Sequence, residues 1–355
     1  MKPASAKTAK KNRVTIADLA GELGLSSMTV SRAFTGSSQI SEKTKEEILK
    51  RARERGYIPD RWARSLVTRR SSIIGVVIPE IAHTYFADVT SGVEEVFDKT
   101  GFDILLCHSR GNAKKERAEI QMLIGSRADG LIIASVQESK TAKPFPDLID
   151  TGIPFVLVDR YFPGRPFSSV HVDDLAVGEL AARYLADLGH RRIAHIQGPE
   201  VSPSALRGQG FLEALAKRGI AVRRGWLAGG DFGYQSGYEA MRRILDSKVC
   251  PTAVFAANDP PAIGAVRACR DAGLRVPEDM SIVGAGCVEG EHSPNPFMTT
   301  ISWPTRDLGR MAARLLLEGI QHPNRFEPQQ NILTPSLLVR QSTGPPARGS
   351  DMIRS

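Results

Sequence analysis

The stretch TIADLAGELGLSSMTVSRAF, residues 15–34, holds two short helical patterns with a three-residue break between them. In the first pattern, apolar residues recur at helical spacing, at Ile16, Leu19, Ala20 and Leu23. Thr15 and Asp18 stand where a helix N-cap and its reciprocal acidic partner are found. Gly24 ends this helix, and Ser26 is suited to cap a second helix that ends near Phe34. Two such helices joined by so short a turn indicate a helix-turn-helix.

A third helix follows after the loop at residues 35–38. Ser41 is suited to cap a helix over residues 42–55, and Gly56 is suited to terminate it. With this helix as support, residues 14–58 are predicted to form a compact, all-α helix-turn-helix domain.

The excess of positive over negative charge lies within the first 70 residues of the chain. Residues 1–70 contain 16 Lys and Arg but 7 Asp and Glu, whereas the other 285 residues contain 31 and 32 and are almost neutral. Such segregation is typical of a surface that binds a polyanion. The basic tail at residues 1–13 has no periodicity and is predicted to be disordered. No apolar segment follows it, so it does not look like a secretory signal.

Residues 57–70, YIPDRWARSLVTRR, read as a short helix or linker. Pro59 and Asp60 begin it, and about one and a half to two helical turns can follow, too few for a stable isolated helix. Residues 59–71 are therefore predicted to be a hinge that becomes ordered only against a partner surface.

From Ser72 onwards, apolar runs typical of buried strands alternate with amphipathic helical stretches. The runs are IIGVVIP (73–79), DILLCHS (103–109), GLIIAS (130–135), PFVLVD (154–159), SVHVD (169–173), IAHIQGP (193–199), AVFAAN (253–258) and SIVGAG (281–286). Eight strands in two clusters predict an α/β core of two doubly wound lobes with parallel sheets. Ligands of such folds bind at the carboxyl ends of the strands, here in the cleft between the lobes.

The core is predicted to span residues 72–342. We assign about 72–168 and 303–330 to the first lobe, and about 169–302 and 331–342 to the second. Residues 343–355 are predicted to be a disordered tail.

The sequence lacks the signatures of several other classes of protein. No apolar stretch is long enough for a membrane helix. The four cysteines lie far apart without metal-ligand spacing, as expected of a protein from the reducing cytoplasm. The chain carries no Ser-His-Asp arrangement, phosphate-binding loop or dinucleotide fingerprint. We therefore expect no enzyme activity, cofactor or metal.

The chain resembles the lactose-repressor (LacI/GalR) family over nearly its whole length. The specific segments are TIADLAGELGLSSMTVSRAF and ISEKTKEEILKRARERGYIPDRWARSL; GVEEVFDKTGFDILL, LADLGHRRIAHIQGP and TAVFAANDPPAIGAVRACRDAGLRVPEDMSIVG resemble the family's core. Periplasmic sugar-binding proteins share this core fold, so the core is expected to be periplasmic-binding-protein-like. The resemblance implies a cytoplasmic homodimer that binds a pseudo-palindromic operator and responds to a small metabolite, often a sugar or sugar derivative. Some members of the family form tetramers through a C-terminal leucine heptad. Residues 343–355 contain no such repeat, so a dimer is expected.

By this resemblance, the second helix of the head enters the major groove of DNA. The residues expected at DNA are Thr15, Ser26, Ser27, Met28, Thr29, Ser31, Arg32 and Tyr57. Arg32 suits a bidentate bond to guanine, and Met28 suits contact with a thymine methyl group. The alternative is an ordinary surface of a small bundle, with Met28 in its core.

The resemblance also implies that paired hinge helices enter the minor groove, with Leu66 as a wedge and Arg61 and Arg64 as further contacts. A flexible linker with an incidental leucine is the alternative. Trp62 departs from the smaller residue common in the family, which leaves the local packing open.

Five residues are expected at the effector by resemblance: Tyr85, Phe86, Asp173, Arg207 and Asp259. A guanidinium such as that of Arg207 suits vicinal hydroxyls or a carboxylate. For Asp173 and Asp259, the alternative is a helix N-cap, because both stand at strand-to-helix junctions. For Tyr85 and Phe86 it is core packing. His190 reads as a structural histidine.

One corner departs from the family pattern. After SIVG, the family commonly has an aromatic residue and then amide or acidic residues, whereas this chain has Ala285-Gly286-Cys287. A polar contact is therefore missing there or supplied by Glu289, Glu291 or His292. The sequence therefore leaves the identity of the effector open.

Two other classes of function compete with a regulator. A solute-binding receptor would share the core but would need a signal peptide and would not carry a basic head. An enzyme on a doubly wound fold would need a phosphate loop or a catalytic constellation.

Overall fold

The computed structural model describes residues 14–35, 39–57, 70–81, 84–141, 143–286 and 296–347. The chain divides after Ser71 into two compact units, and the described parts of these units are called the head (14–57) and the core (72–347). The predicted tail at 1–13 and most of the predicted hinge, including Arg61, Arg64 and Leu66, lie outside the described residues.

The head consists of three helices, α1 (Ile16–Leu23), α2 (Ser27–Thr35) and α3 (Glu42–Arg55). Their apolar faces meet in a small core formed by Leu19, Ala20, Val30, Ala33, Ile48 and Ala52. The predicted helix-turn-helix is confirmed.

Local hydrogen bonds begin and end these helices. The Thr15 amide donates to Asp18 Oδ2 at 2.8 Å, and the Asp18 amide donates to Thr15 Oγ1 at 3.2 Å, which forms a capping box. Ser41 Oγ accepts from the Thr44 amide at 3.2 Å. Gly24 and Gly56 end α1 and α3 with φ of 65° and 62°, a region that favours glycine.

The first sheet of the core contains six strands in the order β11-β5-β4-β3-β1-β2, all parallel. They are β1 (Ile73–Ile78), β2 (Asp103–His108), β3 (Gly130–Ile133), β4 (Phe155–Val158), β5 (Ser169–Val172) and β11 (Gln330–Leu333). Helices α4 (Thr84–Phe97), α5 (Ala113–Gly125), α6 (Pro146–Thr151) and α11 (Thr305–Gln321) pack on it. We call this sheet and its helices the first lobe.

The second sheet has the order β12-β10-β9-β8-β6-β7, with β12 antiparallel to β10. Its strands are β6 (Ile193–Ile196), β7 (Leu227–Ala228), β8 (Ala253–Ala256), β9 (Ser281–Ala285), β10 (Thr299–Ser302) and β12 (Ser336–Leu338). Helices α7 (Asp174–Asp187), α8 (Ser202–Ala216), α9 (Tyr234–Leu245) and α10 (Asp259–Asp271) cover it and complete the second lobe. The prediction of two doubly wound lobes is confirmed.

One predicted lobe boundary is wrong. Residues 169–172 were assigned to the second lobe, but β5 pairs with β4 and β11 and so belongs to the first sheet. The same pairing places residues 331–333, assigned to the second lobe, in the first. An apolar run shows that a strand is buried but not which sheet receives it. The chain crosses between lobes three times, after β5, after β10 and after β11.

The predicted disordered tail begins too early. Thr343 Oγ1 lies 2.7 Å from Tyr184 Oη and 2.9 Å from Thr299 Oγ1. The Gly344 carbonyl lies 2.9 Å from His190 Nε2. Residues 343–347 are therefore attached to the second lobe, and His190 is part of that attachment. No helix in the described parts of the chain is long and apolar enough to cross a membrane.

Candidate functional site

A cavity of about 490 Å³ lies between the two lobes, where the strands of both sheets end. The first lobe contributes Pro79, Glu80, Tyr85, Phe86, Arg110, Gly111, Val136, Asp159 and Arg160. The second contributes Pro199, Val201, Pro203, Arg207, Asp231, Phe232, Gly233, Asn258, Ala285 and Gly286, and Trp303 follows β10. The residues cluster because parallel strands bring their carboxyl ends to one edge of each sheet.

Tyr85 and Phe86 line the cavity, as predicted, and the contacts of Tyr85 hold its ring in place. Tyr85 Oη donates to Asp159 Oδ1 at 2.5 Å and accepts from Trp303 Nε1 at 3.3 Å. Burial, followed by the charge of Asp159, holds the pKa of Tyr85 well above its usual value. Tyr85 is therefore a neutral donor throughout the physiological range. Core packing, the alternative for both rings, also applies to Phe86, which is buried.

Arg207 lies on α8 and lines the cavity. It is 4% exposed. Nε donates to Asp174 Oδ1 at 2.8 Å and Nη1 donates to the Ala257 carbonyl at 2.8 Å. The guanidinium carbon lies 5.0 Å from the centroid of the Trp303 ring, a cation–π contact. Three fixed contacts therefore hold this side chain.

Asp174, the first residue of α7, is the buried partner of Arg207, and its side chain is 0% exposed. Burial raises the pKa of this carboxyl to about 7, although the neighbouring Arg207 charge opposes the shift. Its Oδ2 has no hydrogen-bond partner in the structure.

Two glycines let α7 and α8 approach closely enough for this pair to form. A Cβ atom at Gly178 would lie 1.9 Å from the Arg207 carbonyl oxygen, and one at Gly210 would lie 2.1 Å from the Leu175 carbonyl oxygen. Since neither backbone has room to move away, glycine is required at both positions.

Arg160 adds a second buried guanidinium from the first lobe. Its Nη1 donates to the Ser135 carbonyl at 3.1 Å, and its Nε lies 3.6 Å from Asp159 Oδ2 without a hydrogen bond. The guanidinium carbon lies 6.0 Å from the ring centroid of Phe86 and 5.5 Å from that of Phe232, which belongs to the second lobe. Arg160 therefore links the two lobes across the cavity.

Two of the five predicted effector residues do not line the cavity. Asp173 is exposed and caps α7, because its Oδ1 accepts from the Ala176 amide at 3.0 Å. Asp259 is fully buried and its Oδ1 accepts from Thr300 Oγ1 at 2.8 Å. In each case a neighbour occupies the expected place: Asp174 contacts Arg207, and Asn258 lines the cavity.

Asn258 has the properties of a ligand contact that sequence reasoning missed. It lines the cavity at the start of α10, and its side chain makes no capping hydrogen bond. Its Oδ1 is buried without a hydrogen-bond partner. A buried amide oxygen in this state is costly unless a ligand or water donates to it.

The structure describes residues 285 and 286 of the segment 285–287, where the sequence departs from the family pattern. Ala285 and Gly286 line the cavity and bring no polar side chain to that corner. Cys287, Glu289, Glu291 and His292 lie outside the described residues.

The predicted DNA-contacting residues of the head form a mostly open surface on α2. Met28 is 64% exposed, which excludes the alternative that it belongs to the core of the head. Ser26 Oγ accepts from the Thr29 amide at 3.1 Å and caps α2. The other residues predicted there are Ser27, Ser31 and Arg32, all on α2 and none fully buried.

Thr15 and Tyr57, also predicted at DNA, have structural contacts in the head. Thr15 is the cap of α1, and the Tyr57 ring packs 5.4 Å from the ring of Phe34. These contacts leave their predicted role at DNA untested.

Among the cavity and support residues that were not predicted are Asp159, Arg160, Asp174, Phe232, Asn258 and Trp303. The available signal was position, because Asp159, Arg160, Asn258 and Trp303 each lie within two residues of the end of a strand. Position alone does not show which of two adjacent side chains turns towards the cavity.

A helix-turn-helix head joined to a two-lobed core with a polar cavity defines a ligand-binding regulator of transcription. Family comparison agrees. Residues 15–60 match the family described as bacterial regulatory proteins, lacI family, and residues 165–343 match the periplasmic binding protein-like domain. The chain belongs to the lacI family of bacterial regulators, which confirms the resemblance inferred from the sequence.

Curated relatives align over almost the whole chain. It is 36% identical over 342 residues to the HTH-type transcriptional regulator CelR of Thermobifida fusca, covering 94% of this chain and 99% of that protein. It is 32% identical to the HTH-type transcriptional repressor CytR of Escherichia coli strain K12, covering 94% and 97%. To the repressor PurR of Serratia proteamaculans it is 36% identical, covering 92% and 96%.

Solved structures show the same fold. A complex of the regulator CelR with cellobiose superposes with a TM-score of 0.69 at 34% identity, covering 93% of this chain and 100% of that one. The lac repressor dimer bound to operator and the anti-inducer ONPF superposes with a TM-score of 0.81 at 28% identity, covering 94% and 100%.

Proposed function

We propose that the protein is a homodimeric transcriptional regulator that acts on DNA in the cytoplasm. Its head binds a pseudo-palindromic operator, and its core binds a small sugar-like effector that changes the affinity for the operator. The regulatory role follows from membership of the lacI family.

The cavity carries the effector part of this proposal. Its walls combine aromatic rings with charged and amide groups, among them Asp159, Arg160, Arg207 and Asn258. Aromatic faces pack against the apolar face of a sugar ring, while carboxylates, guanidiniums and amides bind its hydroxyls. The volume of about 490 Å³ is sufficient for a mono- or disaccharide.

Two relatives support this ligand class. The CelR structure is a complex with cellobiose, and a lacI family regulator from Enterococcus faecium, 31% identical with a TM-score of 0.67, contains bound ribose. We infer that the present chain binds a ligand of the same chemical class, in the cavity lined by Tyr85, Phe86 and Arg207.

The charge and surface of the head support operator binding. The excess of basic residues before residue 71 favours contact with phosphates, and Met28 and Arg32 on α2 suit base edges in the major groove. The lac repressor dimer bound to its operator is the precedent for two heads on one site. We retain Arg61, Arg64 and Leu66 as hinge contacts and Leu66 as a minor-groove wedge.

Control by the effector requires that it bind two states of the core unequally. A shift from about 1% to about 99% of one state needs a roughly 10⁴-fold difference in affinity. An effector that prefers the DNA-binding state acts as a corepressor, and one that prefers the other state acts as an inducer.

Thermal unfolding in the presence of single compounds tests the effector. The panel contains cellobiose, ribose, sugar acids, sugar phosphates and nucleosides. A ligand at about 100 times its Kd adds about 2.7 kcal/mol of stability, which raises the melting temperature measurably.

Each stabilising compound is then added to a titration of operator DNA selected from random duplexes. A stabilising sugar that also changes operator affinity supports the proposal. Stabilisation without any change in operator affinity would leave a sugar-binding protein without the proposed control.

A further inference from the structure

Arg207 is held from three separate parts of the core. Asp174 stands at the crossover after β5, Trp303 stands at the crossover after β10, and the Ala257 carbonyl follows β8. Nε and Nη1 are therefore used within the protein, whereas Nη2 makes no hydrogen bond to any described residue. Because Arg207 lines the cavity, Nη2 is the nitrogen left for a ligand.

We propose that Asp174 is a positioning residue whose carboxylate holds the Arg207 guanidinium so that Nη2 faces the cavity. This inference rests on the proposed function for the role of Nη2, but the positioning itself requires no ligand. Asp174 does not line the cavity, so it acts on a ligand only through Arg207.

Burial makes the pairing obligatory. The Arg207 side chain is 4% exposed and the Asp174 side chain 0%, and their nitrogen and oxygen lie 2.8 Å apart. A buried charge that loses its partner is strongly unfavourable, whereas a buried charge with a bonded partner is tolerated. The carboxylate therefore sets the direction of the guanidinium instead of merely lying near it.

The backbone fixes the distance between the two residues. Gly178 lies one helical turn after Asp174 on α7, where it contacts the carbonyl of Arg207 itself. Gly210, one turn after Arg207, contacts the Leu175 carbonyl next to Asp174. The pair is therefore built into the closest approach of α7 and α8.

Asp159, a buried carboxylate that does line the cavity, is engaged elsewhere. Its Oδ1 accepts from Tyr85 Oη, and its Oδ2 lies 3.6 Å from Arg160 Nε. Among the described residues, Asp174 is the only carboxylate that accepts a hydrogen bond from Arg207.

Chemical rescue of Arg207→Ala tests the proposal without an effector or DNA. The substitution leaves the carboxylate, the Ala257 carbonyl and the Trp303 face around the space of the missing guanidinium. Methylguanidinium chloride at millimolar concentration is the probe, and N-methylurea, which has a similar shape but no charge, is its control. Sodium chloride maintains the ionic strength, and a pH of about 8 keeps Asp174 ionised, above its raised pKa of about 7.

Methylguanidinium is expected to raise the melting temperature of the core of Arg207→Ala by about 3 °C or more when it exceeds its Kd tenfold. N-methylurea is expected to have no effect. In Asp174→Asn/Arg207→Ala, the apparent affinity for methylguanidinium is expected to fall at least about tenfold, because a charged acceptor is replaced by a neutral one. The wild-type protein, in which the position is filled, is expected not to respond.

A matched pair on the same two helices controls for surface effects. Asp187, at the end of α7, lies 3.3 Å from Arg218 just beyond α8, and their side chains are 67% and 35% exposed. Arg218→Ala is expected to show no rescue by methylguanidinium. Equal rescue of Arg207→Ala with and without Asp174, or rescue by N-methylurea, would overturn the proposal, and so would no rescue of a folded Arg207→Ala.

If Arg207→Ala does not fold, a double-mutant cycle replaces the rescue. Asp174→Asn/Arg207→Met removes both charges and is expected to fold, because an apolar or neutral pair of similar size is tolerated where a single buried charge is not. A coupling of at least about tenfold in the unfolding equilibrium supports the pair, and additive effects refute it.

Failure of the proposed function gives a different result. If methylguanidinium rescues Arg207→Ala through Asp174 but no sugar binds the wild-type protein, the proposed sugar effector is refuted and the positioning role of Asp174 is supported. If a sugar binds and controls operator affinity but rescue is independent of Asp174, the reverse holds.

Discussion

In the head, the side chains assigned to DNA lie on the surface of a small three-helix bundle, whereas in the core the groups assigned to the ligand are buried at the ends of strands. Met28 is 64% exposed, while Arg207 is 4% exposed. None of the six buried residues that form the core of the head is among the predicted DNA-contacting residues. In the core, by contrast, the residues that support the cavity also orient its polar groups.

This difference separates stability from function in one region and joins them in the other. On the head, truncation of a DNA-contacting side chain is expected to change affinity without changing stability. In the core, removal of a polar group such as Arg207 leaves its partner buried without a counter-charge, so that affinity and stability change together.

The largest expected effect is on effector binding in the core. Arg207→Ala should lower the affinity for a sugar found in the panel by about 100-fold, because a hydrogen bond from a charged group to the ligand contributes up to about 3 kcal/mol. Isothermal titration calorimetry measures it, with Arg218→Ala as the surface control. Unchanged sugar affinity in Arg207→Ala would remove the cavity from the effector site.

The next effect is on operator binding by the head. Arg32→Ala should lower operator affinity by about 10- to 100-fold, as expected for loss of a base contact worth about 1–3 kcal/mol. The sugar affinity of the free protein should not change. In the exposed control Met28→Ala, thermal stability should stay within about 0.5 kcal/mol of wild type. A large loss of stability in Met28→Ala would contradict the separation of stability from function in the head.

The third effect is a pH dependence confined to the core. Burial raises the pKa of Asp174 from 3.8 to about 7, so between these values the folded state keeps a proton that the unfolded state has released. This group therefore stabilises the core below about pH 4, and its contribution is lost as pH rises to about 7, at up to about 1.4 kcal/mol per pH unit.

His171 and His195 act in the opposite direction. Burial lowers the pKa of each to about 4, so their contribution to stability is present above the ordinary value of 6.5 and is lost as pH falls. Urea unfolding of wild type and Asp174→Asn between pH 4 and 8 isolates the carboxyl, because the histidines are common to both. Parallel curves for the two proteins would show that Asp174 does not titrate in this range.

The smallest effect compares helix caps in the two regions. Ser41→Ala removes the cap of α3 in the head, and Asn112→Ala removes the cap of α5 in the core, where its Oδ1 accepts from the Lys114 amide at 2.9 Å. Each should cost about 1 kcal/mol. Hydrogen exchange should show the loss from Ser41→Ala in the head alone and that from Asn112→Ala in the core alone. A loss spread over both regions would mean that they unfold together.

The same contrast explains what could be predicted from the sequence. The head depends on neighbours within four residues, so the caps at Thr15 and Ser41 and the ends at Gly24 and Gly56 were readable from local chemistry. The cavity depends on which side chain turns inward at each strand-to-helix junction. At two junctions the prediction was one residue away, at Asp173 instead of Asp174 and at Asp259 instead of Asn258.

The wrong lobe for β5 has a related cause. All four of its residues are buried, and burial does not show with which strand it pairs. The assignment depends on pairing with β4 and with β11, more than 150 residues later in the chain. Sequence patterns of short range do not contain such pairings.

The most direct measurement is operator affinity with and without a bound sugar, by fluorescence anisotropy at fixed salt. An effector-controlled regulator should show a change of about 5- to 150-fold at saturating sugar, the usual range of coupling between two sites. The change should disappear in Arg207→Ala, while operator binding without sugar remains. A saturating sugar that leaves operator affinity unchanged in the wild-type protein would contradict control of the head by the core.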